Sequence, residues 1–170
     1  MRRPLAIIAS VLLFAAVLTG CGSDPIPAGG PSIASAADCP TSNTTAFAKT
    51  KFVGHVGLAA GSFHHWIWKP FKAGALQKGA HHRVVAIAKA VATAAFVQHE
   101  IKQAIQDVKA SPGLCKAVIT PLSELQNAFG NLASTLGTGN FASVAGINAS
   151  LASLLALADR NGAQITETST

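Results

Sequence analysis

The chain has 170 residues, 49% hydrophobic and only 12% charged. That is the length of one domain, too apolar for a disordered protein and too poor in charge for an ordinary cytosolic enzyme. The net charge of +6 is unevenly spread: between Ala46 and Lys116 ten Lys and Arg stand against Glu100 and Asp107, a local +8. A basic half of this kind points to an anionic lipid or anionic polymer as partner, or else to a helix face kept soluble by lysines.

Arg2 and Arg3 open the chain as a positive region, Leu5 to Val17 is an apolar run, and Leu18, Thr19, Gly20 and Cys21 follow directly. This order matches a signal peptide over residues 1–20. Its last four positions resemble the bacterial lipobox, which implies an acylated Cys21 as first residue of the mature protein. The apolar run falls short of the about 20 residues that cross a bilayer comfortably. Gly22 stands where an inner-membrane retention signal would place Asp. The expected address is therefore the extracytoplasmic face of the cell membrane, through a lipid anchor, which disfavours nucleic acid as a partner.

Residues 21–43 read as the lipidated Cys and a flexible stalk rich in Pro, Gly, Ser and Ala. A helical domain is expected over 44–162, capped at its start by Thr44 or Thr45. The first helix, 46–68, carries Val53, Val56, Ala60, Phe63 and Ile67 on one face and Gly54, Gly57 and Gly61 on another. Interior helix glycines each cost about 1 kcal/mol relative to Ala, so a glycine face implies close approach of a neighbouring helix. Pro70 is expected to end this helix. The second helix, 83–109, is the longest Gly-free and Pro-free interval. Its spine runs Val84, Ile87, Val91, Ala94, Gln98, Ile101, Ala104/Ile105 and Val108.

A third helix is expected over 114–136 with Leu122, Leu125, Phe129, Leu132 and Leu136 in step, kinked or divided at Pro121. A fourth covers 141–159, with Phe141, Val144, Asn148, Leu151, Leu155 and Ala158 in step, and residues 163–170 are expected to fray. Four amphipathic helices with short connections predict an all-α fold, an antiparallel up-and-down four-helix bundle. That topology brings Cys39 and Cys115 to the same end in a compartment that permits disulfides, so the two are expected to pair.

Two constellations could carry chemistry. His64 and His65 face His81 and His82 across the connection between the first two helices, and imidazole suits zinc, copper or nickel. Against a metal or haem binder, no acidic residue lies between Asp38 and Glu100 and no Met or spare Cys follows Cys21. The second constellation is Trp66, Trp68, Lys69 and Lys72, flanked by Phe63 and Phe71. Amphipathic rings with adjacent cations partition into anionic interfaces, and the same residues could instead close the bundle end as core aromatics. The first two helices could also form a membrane-embedded hairpin, though Lys89 interrupts the second and three histidines fall in the first.

Catalysis has little to work with: no paired acids, nucleophile elbow or phosphate-cradling loop appears, so no enzyme and no cofactor is expected. At Lys51, Phe52 and His55, Ala60 to His64, Ile67, Lys69 to Gly74, and His99 with Glu100, the chain resembles an uncharacterised group of exported helical proteins of actinobacteria. The resemblance covers the first two helices and transfers no site. It implies that the Lys69 to Lys72 corner matters more than an ordinary loop. The reading that follows is a non-enzymatic lipoprotein that binds an anionic lipid, a cell-wall polymer or a protein partner.

Overall fold

The computed structural model of the protein describes residues 33–169. The expected signal peptide, the acylated Cys21 and the stalk as far as residue 32 lie outside them. Among the described residues every regular element is helical. The long helices are α1 (Ala48–Phe63), α3 (Arg83–Val108), α4 (Pro112–Gly137) and α5 (Val144–Arg160), with the short α2 (Lys69–Lys72) before α3.

The fold begins before the expected boundary at 44. Residues Ala36–Asp38 form a 3-10 turn capped by Ser35, the Ala34 amide donates to Ser123 Oγ at 2.9 Å, and Cys39 is bonded to Cys115 with Cα atoms 5.7 Å apart. Neither Thr44 nor Thr45 caps α1. The Thr44 amide donates instead to the Ala110 carbonyl at 3.1 Å, and Phe47, in the left-handed region at φ 59°, takes the N-cap position without a side-chain cap.

Helix α3 packs against both α1 and α4, and α4 carries α5. Thr44 meets Ala110, His55 meets Glu100, and Lys89 lies over Trp66, so numbers rise on α1 as they fall on α3. The core explains the closeness. From α3 it takes small side chains, Ala90, Ala94 and Ala104, with Val97 and Ile101 between them, and from its neighbours Phe52, Val56, Phe63, Ile67, Leu122, Leu125, Phe129, Leu132 and Leu136. Phe63 meets Phe129 edge-on, with ring centroids 5.5 Å apart, where aromatic pairs gain most beyond simple burial.

Three local expectations need correction and a fourth, at Pro121, is narrowed. Pro70 does not end the first helix: α1 passes without a break into a π-helical turn, His64–Trp68, and then into α2 with Pro70 in its first turn. The wide turn closes just before the proline, with the Lys69 amide donating to the His64 carbonyl, so the missing proline N–H falls where the register has already changed. At Pro121, of the two outcomes expected, division does not occur: the proline sits inside one continuous α4. On α5 the buried stripe runs through Ile147 and Leu154, leaving Asn148 and Leu155 half-buried. The spine of α3 thins toward its start: it is well covered from Ala94 onward, Val91 and Ile87 are half-buried, and Val84 is 78% exposed, as is its neighbour Val85 at 53%. The most apolar stretch of α3, mean hydropathy 1.4, is only 28% buried.

The glycine face of α1 receives the chain's own tail instead of a helix. The Thr168 amide donates to the Gly57 carbonyl at 3.1 Å, Ala163 is buried and Ile165 packs on the core. A Cβ at Gly57 would meet the Thr166 carbonyl oxygen at 2.5 Å, and one at Gly61 would run into the Thr168 backbone. The tail is thus seated along α1 through at least Thr168 rather than frayed.

Candidate functional site at the π-helical corner

The five residues of the π turn, His64, His65, Trp66, Ile67 and Trp68, hold both tryptophans and one of the two histidine pairs. A π turn adds a residue to the helical cycle, so side chains beyond it point in directions that regular three-four spacing does not give. Ile67 is fully buried and pins the turn to the core. The residues on either side of Ile67 then diverge into two separate grooves.

The groove toward α3 has a volume of about 450 Å³ and is lined by His65, Trp66, Lys69, Pro70, Ala73, Ala75, His81, His82, Val85, Ala86 and Lys89. No carboxylate is among these residues. Lys89 Nζ sits 4.9 Å from the Trp66 ring centroid, a cation-π contact that holds the ammonium at the groove. His65 packs edge-on against Trp66 at 4.5 Å, and His81 against His82 at 4.7 Å. His82 itself is left-handed, φ 56°, at the start of α3.

The groove toward α5 has a volume of about 460 Å³ and is bordered by Trp68, His64, Asn148 and Glu167, with His65 and Lys69 on the ridge shared by both. Trp68 stacks on Phe71 at 5.8 Å, and Lys72 Nζ lies 5.8 Å from the Trp68 centroid. His64 Nδ1 is 2.7 Å from Glu167 Oε2, and its Nε2 is 2.9 Å from Asn148 Oδ1. This imidazole is therefore committed to α5 and the tail.

The structure divides both sequence-predicted constellations. Trp66 and Lys69 share the α3 groove, whereas Trp68 and Lys72 pair on the other side of the ridge. His65, His81 and His82 share the α3 groove while His64 faces away, so the expected convergence of four imidazoles is corrected to three. Among the described residues no three His, Cys, Asp or Glu side chains gather in a way that would hold a metal ion.

Two features were missed. Lys89 completes the groove, and the signal for it was available in the antiparallel pairing of α1 with α3, which sets the start of one against the end of the other. The second is a polar cluster midway along the α1/α3 seam: His55 Nδ1 is 2.6 Å from Glu100 Oε2, and its Nε2 is 3.6 Å from Asp107 Oδ2, too long for a hydrogen bond. Glu100 and Asp107 lie seven residues apart and so share a helix face, which is the sequence signal for the cluster. His99 plays no part in it, being exposed and nearest Gln103 at 3.4 Å. Below Trp66 a smaller cavity of about 210 Å³ is bordered by Ser62, Ala92, Thr93 and Phe96, and the buried Ser62 Oγ has no hydrogen-bond partner among the described residues.

Comparison with protein-family models, with curated proteins and with solved structures finds no match to this chain.

Proposed function

We propose that the chain is a non-enzymatic, lipid-anchored protein of the outer face of the cytoplasmic membrane that binds an anionic envelope component through its π-helical corner. The observation that carries this reading is the groove between α2 and α3. It joins Trp66 to Lys69, Lys89 and three imidazoles with no carboxylate among its lining residues. Rings supply area to bury, and uncompensated cations supply a salt-sensitive attraction. Trp68 with Lys72 extends the same chemistry across the ridge.

Position matters to the choice of partner. Thr44 meets Ala110 near the end of α3, about 21 residues or roughly 30 Å from the groove beside Lys89, but the first described residues meet the fold at Ser123, midway along α4. An entry at mid-height leaves both orientations open: a corner turned away from the anchor meets the cell wall, and one turned toward it meets the protein's own membrane. The test is binding of the mature chain carrying Cys21→Ser to anionic vesicles, neutral vesicles and isolated cell wall at low and high salt. Binding to an anionic surface that weakens with salt and with Lys69→Ala/Lys89→Ala is the expected outcome. Binding equal for both proteins and insensitive to salt would reduce the corner to a packed helix end.

A further inference from the structure

We infer that the groove between α2 and α3 is a site for one single-chain anionic amphiphile, its alkyl chain on the groove floor and its head at the rim. This rests on the reading that the corner binds anions, and goes beyond it by naming a molecule taken out of a surface rather than the surface itself. The argument is the sorting of the lining residues by depth. Trp66, Pro70, Ala75 and Ala86 are the half-buried ones and all are apolar. His65, Lys69, His81, His82 and Lys89 carry every ionisable group of the lining, with Lys89 held over the Trp66 ring at 4.9 Å. Apart from the half-buried Trp66 indole, the polar groups lie on exposed residues.

An inorganic anion would use the rim and leave the floor wet, and a neutral lipid would use the floor and leave the cations unmatched. Only a molecule with both parts satisfies both. The volume of about 450 Å³ falls in the range of small-molecule pockets, roughly 300–1,000 Å³. Val85, 53% exposed at the mouth, continues the floor outward onto the uncovered first turns of α3.

The experiment is calorimetric titration of the mature Cys21→Ser chain with inorganic phosphate and with butyl, octyl and dodecyl phosphate below their micellar concentrations. A fully buried methylene is worth about fourfold in affinity, so an open groove should give about two- to fourfold per methylene over the shorter chains. Ala86→Trp, which fills the floor, should flatten that dependence, and Val85→Glu, at an exposed position that leaves folding intact, should weaken every alkyl phosphate. Equal affinity for inorganic and dodecyl phosphate overturns the inference, as does a chain-length dependence that neither variant changes. If that happens while vesicle binding stays salt-sensitive and dependent on Lys69 and Lys89, the envelope reading stands and the amphiphile alone falls. Failure to bind either vesicles or alkyl phosphates overturns both.

Discussion

The two ends of the molecule are built by opposite means. Where the chain enters, Cys39 is bonded to Cys115 and the Thr44 amide reaches Ala110, two links to the turn from α3 into α4, and the Ala34 amide reaches Ser123 farther along α4. At the far end the helical run widens into a π turn, leaves the first turns of α3 uncovered and opens two grooves on either side of Lys69. One end is closed by covalent and backbone bonds, and the other exposes rings, lysines and imidazoles. A domain of this size has one core to stabilise it, and the locked end lets the open end forgo close packing.

Breaking the locked end should have the largest effect. A bridge between residues 76 apart is worth about 4.5 kcal/mol in the chain-entropy model. Cys39→Ser/Cys115→Ser should lower the denaturant midpoint by a corresponding amount while leaving anion binding of the folded protein unchanged. Chemical denaturation with and without reductant measures the first, and vesicle binding the second.

The seam between the ends comes next. His55→Ala removes the imidazole that is hydrogen-bonded to the largely buried Glu100 carboxylate, at a cost of about 1 to 3 kcal/mol. Thermal unfolding should show the loss, and His55→Ala with Glu100→Gln should lose less than the sum of the single changes.

A smaller effect separates the tail from the helices. Gly61→Ala gains up to about 1 kcal/mol of helix propensity but places a methyl in the Thr168 backbone. Global stability should move little while the Thr168 amide, bonded to Gly57, loses protection from hydrogen exchange. Unchanged protection at Thr168 would show that the tail does not depend on the glycine face.

The smallest effect on stability belongs to the open end. Lys69→Ala/Lys89→Ala removes two groove lysines, one of them over an indole, and should change unfolding free energy by no more than about 0.5 to 1 kcal/mol. Binding to anionic vesicles should nevertheless fall severalfold. Destabilisation comparable to that of His55→Ala would mean that the corner serves packing.

The apolar stripe of α4 and the covalent lock were legible in the sequence, and little of the open end was. Leu122, Leu125, Phe129, Leu132 and Leu136 are buried as their spacing requires, and Cys39 finds Cys115. Periodicity reports which face of a helix is apolar, not whether a neighbour reaches it, and so Val84 read as core although it is 78% exposed. The π turn has no signature in three-four spacing, whereas the division of Trp66 and Trp68 between two grooves follows from their lying two positions apart, on opposite sides of a helix. The pairing of His55 with Glu100 and the seating of the tail on Gly57 join residues 45 and 111 positions apart, a distance over which local pattern carries no information.

The most direct test of the difference between the ends uses the two tryptophans of the chain as reporters. Indole N–H resonances of the mature Cys21→Ser protein, followed together with the backbone amides of Phe47 and Ala48 at the locked end, are recorded with anionic and with neutral bicelles at low and high salt. The expected result is a shift of the Trp66 indole with anionic bicelles only, reduced by salt and by Lys69→Ala/Lys89→Ala, with Phe47 and Ala48 unmoved. A Trp66 resonance indifferent to charge and salt, or a response confined to Phe47 and Ala48, would contradict it.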